Sequence, residues 1–189
     1  MRFRRSAVAL SSLSLGALVV AVPAARAATA PYCGITWGSL DKTSPAMTTA
    51  PVTGARVGRH DCYDRLVVDL AGMPAPGYDV RYTNGFTDIA RGQSVPMAGG
   101  AVLTISVQAP AYDMAGNPTV PWGSRSHIVT PAQFSAGGFR TFRDLAYGGT
   151  FEGYTLLGLG VRARLPFRVF TLDGPGSGSR LVVDVAHQW

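Results

Sequence analysis

The sequence predicts an all-β protein, an antiparallel β-sandwich with one short helix. Short runs alternate apolar and polar residues, as in Leu103-Thr104-Ile105-Ser106-Val107, and this period of two is typical of half-buried strands. The 189 residues include 23 glycines and 13 prolines, and clusters of them separate the runs. Short strands between glycine and proline turns favour a sandwich or a barrel over a helical bundle. An apolar fraction of 47% excludes a disordered chain.

Residues 1–27 are predicted to be a secretory signal peptide. Arg2, Arg4 and Arg5 precede an apolar stretch over residues 7–22, and Ala25-Arg26-Ala27 has small residues where a signal peptidase cleaves. No later stretch approaches the 18 apolar residues of a membrane helix. The sequence therefore predicts a secreted, extracellular protein without a membrane span after processing, in which a retained N-terminal anchor is the less favoured alternative.

The charge of the processed chain does not indicate a nucleic-acid partner. Four of the 17 basic residues and none of the 11 acidic residues lie in residues 1–27, which leaves 13 basic against 11 acidic residues, a net charge of +2. Lys42 is the only lysine, and the arginines occur in small groups among apolar residues, typical of the solvent face of strands. No nucleic-acid binding is predicted.

The two cysteines, Cys33 and Cys62, are predicted to form a disulfide, because an even pair in an exported chain usually does. The bond would close a loop of about 30 residues and stabilise the fold by roughly 3–4 kcal/mol. A lipid-modified Cys33 and a nucleophilic Cys62 beside His60 are the alternatives. The predicted organisation is a signal peptide (1–27), an N-terminal segment tethered by the disulfide (28–54) and a sandwich domain (55–189).

Individual elements follow from the same patterns. Alternation predicts strands over residues 62–70, 78–82, 103–107, 139–147, 151–161, 167–171 and 181–185. In the first of these, Cys62 shares the inward face with Leu66 and Val68. Gly148-Gly149 predicts a hairpin turn between two strands. Thr130 followed by Pro131 predicts the start of a short helix over residues 130–136.

The pentapeptide Arg-Leu-Val-Val-Asp occurs at 65–69 and again at 180–184. Two interpretations stay open, either two independent good strand sequences with an exposed arginine and aspartate, or a pair of related strands in one sandwich.

With Phe167-Arg168-Val169-Phe170 between them, these two strands resemble the AMIN domain. The chain is more similar to the AMIN-like secreted proteins of actinobacteria, which share Phe151-Glu152-Gly153, Gly158-Leu159-Gly160 and the Cys-Gly-Ile-x-Trp-Gly-Ser start at 33–39. The resemblance covers about residues 33–187. The chain differs from the AMIN pattern in one respect. Some 80 residues, 83–165, separate two strands that are near neighbours in the AMIN domain.

The resemblance implies a β-sandwich that serves as a cell-envelope module, because AMIN domains accompany cell-wall amidases and secretin components and bind peptidoglycan or localise their hosts. It provides no catalytic residues. The sequence likewise lacks a Gly-x-Ser-x-Gly elbow, a His-Glu-x-x-His motif and a phosphate-binding loop.

No enzyme, metal site or cofactor is therefore predicted. His187, near the C-terminus, is expected at the surface, and His60 and Asp61 are expected to point to opposite faces, so that with Asp64 they do not form a metal site. A hydrolase using Asp144 and Glu152 across a hairpin is the enzymatic alternative.

The predicted ligand site lies in the loop at residues 108–126. Tyr112 and Trp122 supply ring faces on which sugars can stack, and Asp113 and Asn117 supply hydrogen-bonding groups. The alternative is that Tyr112 and Trp122 fold back and pin the loop. The sequence thus predicts a secreted, non-enzymatic, envelope-associated protein that binds peptidoglycan or another cell-wall glycan, or an envelope protein. A cell-wall hydrolase and a secreted protein-interaction module are the alternatives.

Overall fold

The computed structural model describes residues 34–189, and the predictions on residues 1–33, including the signal peptide and Cys33, lie outside them. The described residues form twelve strands and one helix: β1 (Lys42–Ser44), β2 (Val52–Arg59), β3 (Tyr63–Leu70), β4 (Tyr78–Thr83), β5 (Phe86–Thr87), β6 (Ser94–Val95), β7 (Ala101–Val107), β8 (His127–Val129), α1 (Pro131–Ala136), β9 (Phe142–Phe151), β10 (Tyr154–Val161), β11 (Phe167–Asp173) and β12 (Ser179–Ala186).

These strands form a sandwich of two antiparallel sheets. One sheet has six strands in the order β1-β4-β7-β10-β9-β8, the other has four in the order β11-β12-β3-β2, and β5 pairs with β6 in a small separate ribbon. The predicted all-β antiparallel fold with one short helix is confirmed. The segment 83–165 contributes β7, β8, β9 and β10, and therefore builds most of the larger sheet.

The main core lies between the inner faces of the two sheets. Both sheets contribute aliphatic side chains with no exposed surface, among them Leu66, Val68, Leu181 and Val183 from one sheet and Leu103, Ile105, Leu157 and Leu159 from the other. These residues stand at alternate positions of their strands, which is why the period of two in the sequence located the core.

The repeated pentapeptides lie side by side in the smaller sheet. Strands β3 and β12 pair antiparallel, with Arg65 opposite Asp184 and Asp69 opposite Arg180. This arrangement matches the interpretation of two related strands in one sandwich. The expectation that both aspartates are exposed is wrong, since Asp184 is completely buried.

The outer face of β3 is covered by residues that precede β1. Ile35, Cys62, Tyr63 and Ala186 form a small apolar cluster against which Trp37 packs. The expectation of a half-buried strand with Cys62 facing the main core is therefore wrong, because β3 is buried on both faces and Cys62 belongs to this second cluster. The predicted boundary at 54/55 falls inside β2, and β1, which pairs with β4, lies before it.

The hairpin between β9 and β10 turns later than predicted. Gly148 and Gly149 lie inside β9, where the register shifts between Leu156 and Leu157 as in a β-bulge. The ring of Phe86 lies so close to Gly148 that a Cβ there would be 2.7 Å from it. The turn itself uses Glu152 at φ 48° and Gly153 at φ 83°, as in a type I′ hairpin.

Helix α1 confirms the predicted start. The Thr130 hydroxyl accepts a hydrogen bond from the Gln133 N–H at 3.4 Å, and Gln133 Oε1 accepts one from the Thr130 N–H at 2.8 Å, which together form a capping box. Phe134 anchors the helix in the core. No helix within residues 34–189 has the length and apolar character needed to cross a membrane.

Candidate functional site

A groove of about 440 Å³ lies between the loop at 108–126 and the tip of the β9–β10 hairpin. We call it the tip groove, and its lining includes Met47, Thr49, Pro110, Tyr112, Asp113 and Met114. Met114 is 95% exposed and Met47 51% exposed. Two thioether side chains and one tyrosine ring therefore give the groove an accessible apolar surface.

Hydrogen bonds within the loop shape the tip groove. The Tyr112 hydroxyl accepts one from the Gly153 N–H at 3.1 Å and so ties the loop to the hairpin tip. The Asp113 carboxylate accepts from the Asn117 side-chain amide at 3.0 Å and from the backbone N–H groups of Asn117 and Ala115. These hydrogen bonds, that from the Asn117 side chain foremost, lower the pKa of Asp113. The ionised carboxylate holds the turn that carries Met114.

The structure brings together only half of the predicted ligand site. Tyr112 and Asp113 line the tip groove, whereas Asn117 and Trp122 are not among its lining residues. The Asn117 amide is used on Asp113, and the Trp122 ring packs edge-on against Tyr147 with 5.6 Å between centroids, beside the main core. Trp122 fits the loop-pinning alternative, and the ligand-binding role of the four residues stays a prediction.

Other exposed apolar groups surround the hairpin tip and escaped sequence analysis. Phe151 and Tyr154 lie directly opposite each other and are 50% and 38% exposed. The sequence pattern placed Phe151 and Tyr154 in a strand, but it did not show that their side chains lie outside the core. The methionines gave no signal at all, because only the fold brings the segment around Met47 next to Met114.

The hydrolase alternative built on Asp144 and Glu152 is wrong. Asp144 lies in β9 and Glu152 lies in the turn that follows it, eight positions further along the chain, which corresponds to roughly 25 Å along a strand. The carboxyl pairs of glycosidases lie about 5–10 Å apart. Glu152 is exposed in the turn, while Asp144 is 1% exposed inside the sheet.

Asp144 instead orients His127. His127 Nδ1 lies 2.7 Å from Asp144 Oδ1, and Asp144 Oδ2 accepts a hydrogen bond from the Ala98 N–H at 2.9 Å. Nδ1 faces the carboxylate and Nε2 lies on the other side of the ring, the arrangement of a catalytic histidine–aspartate pair. Within the described part of the chain, however, no serine hydroxyl is hydrogen-bonded to this imidazole.

A second pocket, of about 460 Å³, lies where β2 ends and β3 begins. We call it the arginine pocket, and it is lined by Arg59, His60, Asp61, Asp64, Gly138, Arg140 and His187. His60 and both aspartates do meet here, because residues 60–62 form the connection between strands and do not alternate across a sheet. The His60 ring is stacked on Tyr63 at 4.5 Å. In residues 34–189 no group of three histidine, cysteine or acidic side chains is placed to hold a metal ion.

His187 is buried, so the expectation of a surface position is wrong. It is 7% exposed, and the Arg162 guanidinium donates to its carbonyl oxygen at 2.6 Å. His187 Nε2 lies 3.1 Å from Asp64 Oδ1, while Asp64 Oδ2 accepts from the backbone N–H groups of Thr141 and Phe142. This network links β3, β9 and the end of β12, and nothing in the local sequence around His187 indicates it.

The disulfide prediction has only one of its two residues in the described part of the chain. Cys62 is 7% exposed, and no described cysteine is free. Cys33 lies outside the described residues, so its pairing with Cys62 stays a prediction.

Comparison with known proteins identifies the family of the chain. A family model, the AMIN-like domain, matches residues 50–187. A search of the curated proteins and a search of the solved structures each found no match. The matched range includes both repeated strands, the loop of the tip groove and the histidine–aspartate network, and it covers well over half of the sequence. The chain therefore belongs to the AMIN-like domain family.

Proposed function

We propose that this protein is a secreted, non-catalytic module that associates with the cell wall and binds a wall glycan, such as peptidoglycan, in the tip groove. Membership of the AMIN-like family supports a cell-wall-associated binding module. The predicted signal peptide at residues 1–27 supports export. The glycan and the groove that holds it are our assignment.

The observation that carries the proposal is the composition of the tip groove. A sugar ring has apolar C–H faces and a rim of hydroxyl groups, and it binds where apolar side chains meet a few polar groups. The tip groove offers the Tyr112 ring and the Met47 and Met114 thioethers, with the Thr49 hydroxyl and the Asp113 carboxylate beside them. The Tyr112–Gly153 hydrogen bond attaches this loop to the β9–β10 hairpin. The groove is therefore formed without a ligand.

Binding to insoluble cell wall tests the proposal with variants at the tip groove, outside the main core. Met114→Glu places a charge in the groove at a side chain that is 95% exposed. Tyr112→Leu removes the ring, whereas Tyr112→Phe keeps the ring and removes only the hydroxyl. Leu40→Glu is the matched control, since Leu40 is 76% exposed and does not line the groove.

We expect Met114→Glu and Tyr112→Leu to weaken wall binding about tenfold, which corresponds to the loss of about 1.4 kcal/mol of ring and thioether contact. Leu40→Glu should bind within about twofold of the unmodified protein, and Tyr112→Phe, which keeps the ring but loses the hydrogen bond to Gly153, should weaken binding less than Tyr112→Leu does. The readout is the bound fraction after sedimentation with purified, protein-free wall, and circular dichroism verifies each fold. Equal recovery of all variants with the wall would place binding elsewhere, and recovery of every protein in the supernatant would refute wall binding.

A further inference from the structure

We infer that the arginine pocket is a binding site for an anionic group, a carboxylate or a phosphate. This inference does not depend on glycan binding, because no residue lines both the arginine pocket and the tip groove. It rests on two guanidinium groups that share the pocket and have no partner within the described chain.

Five of the twelve arginines in the described part of the chain pair with carboxylates, one of them being Arg125 beside Asp88. Arg56 pairs with Asp69, Arg81 with Asp79, and both Arg65 and Arg168 with Asp184. In residues 34–189 the guanidinium groups of Arg59 and Arg140 make neither a hydrogen bond nor an ion pair. Each guanidinium carries five N–H donors, so the pocket presents two sets of donors that the protein itself does not use.

The end of helix α1 places these two groups together. Gly138 follows the helix at φ 67°, a conformation that favours glycine. A Cβ at this position would lie 3.0 Å from Arg59 Nη1. Because Gly138 has no side chain, the Arg59 guanidinium can lie against the backbone there. Arg140, two residues later, lines the same pocket.

The acidic residues of the pocket do not cancel this charge. Both Asp64 oxygens are occupied by Thr141, Phe142 and His187. His187 Nδ1 lies 3.2 Å from the Asp61 carbonyl oxygen and Nε2 lies 3.1 Å from Asp64 Oδ1. The His187 ring thus lies between two acceptors of the protein itself.

Asp64 and His187 are both buried, and the Asp64 carboxylate is engaged within the protein. Among the described residues that line the pocket, this leaves the exposed Asp61 carboxylate against the two guanidinium groups. Of the exposed charged side chains that line the pocket, two are therefore cationic and one is anionic.

The chemistry of the ligand follows from the donors. A guanidinium presents two parallel N–H groups that match the two oxygens of a carboxylate or a phosphate, and such charged pairs are stronger than neutral hydrogen bonds. The pocket opens to solvent beside a strand connection, so it can accept a group that projects from a larger molecule. Two sources offer this chemistry, a phosphodiester of an anionic polymer or the carboxylate of a short peptide.

Titration of the full processed chain with defined anions tests the inference. The probes are inorganic phosphate and the dipeptide Ala-Ala, and the readout is the dissociation constant from isothermal titration calorimetry or from NMR of the arginine side chains. The variants are Arg59→Gln, Arg140→Gln and Asp61→Asn. Arg91→Gln is the matched control, because Arg91 is exposed and lies outside the pocket.

We expect Arg59→Gln and Arg140→Gln each to weaken binding of the preferred probe at least about tenfold, since each removes a charged hydrogen bond. Asp61→Asn should tighten it, and Arg91→Gln should leave it unchanged. Preference for phosphate or for the dipeptide identifies the source of the ligand. Absence of saturable binding by both probes, or equal weakening by Arg91→Gln, would overturn the inference without bearing on the tip groove.

Discussion

Asp184 shows how a single residue organises the outer face of the smaller sheet. Its carboxylate is completely buried and accepts hydrogen bonds from Arg65 Nε at 2.6 Å and Arg168 Nε at 2.8 Å. The Arg168 guanidinium in turn lies 4.3 Å from the centre of the Trp37 ring. Asp184 therefore positions Arg168, and Arg168 contacts Trp37 of the N-terminal segment through a cation–π interaction. This contact helps to attach the segment to the sheet.

Replacement of Asp184 by asparagine should lower the free energy of unfolding by about 3 kcal/mol, because it leaves two guanidinium groups without their buried partner. The matched control is Asp69→Asn, the same position of the other pentapeptide. Asp69 pairs with Arg56, a side chain 55% exposed. Asp69→Asn should therefore lower the free energy of unfolding by less than about 1 kcal/mol. Urea denaturation measures both, and equal losses would show that burial of the pair is not the cause.

At the scale of elements, the β9–β10 hairpin shows that packing can override the turn preference of a local sequence. Gly148-Gly149 has the composition of a turn, yet it forms a bulge because Phe86 packs onto the strand at Gly148. The turn then falls at Glu152, whose φ of 48° is unfavourable for a glutamate. The position of the turn is decided by packing against β5, which is distant in sequence.

Glu152→Asn should therefore stabilise the protein by about 0.5–1 kcal/mol, because asparagine adopts positive φ more readily. Thermal unfolding should show a rise of a few degrees in Tm. Glu152→Gln is the control, since it removes the same charge without the conformational preference. A gain of equal size in Glu152→Gln would assign the effect to charge and contradict the conformational explanation.

At the scale of the whole molecule, the fold joins two sheets and a covering N-terminal segment. The cluster of Ile35, Cys62, Tyr63 and Ala186 lies outside the main core and attaches that segment to β3 and β12. A covalent bond from Cys62 to Cys33 would reinforce this contact by restricting the unfolded chain.

Two measurements on the exported protein test this organisation. Its intact mass should correspond to loss of residues 1–27 and be two hydrogens below that of the reduced chain. Reduction should lower the free energy of unfolding by roughly 3–4 kcal/mol. Retention of residues 1–27 would contradict the signal peptide, and labelling of two free thiols would contradict the disulfide.

The sequence alone determined what depends on neighbouring residues. Alternation located seven of the twelve strands and the main core, because a strand sends successive side chains to opposite faces. It did not predict β1, β2, β5, β6 and β8. Thr130 and Pro131 located the helix, because a helix cap is a local structure. The loop that carries Tyr112 and Asp113 was also recognisable, from its prolines and aromatic residues.

Only the tertiary structure decided which polar residues are buried and which groups share a pocket. Asp64 and His187 are 123 positions apart, and the buried Asp184 pairs with Arg65 and Arg168 from two neighbouring strands. Arg59 and Arg140 line one pocket at the end of α1, and Met47 and Met114 line another groove between two loops. Such contacts depend on how the two sheets and their loops pack together. An alternating pattern shows which face of a strand is apolar, but it does not show which residues pack against the opposite face.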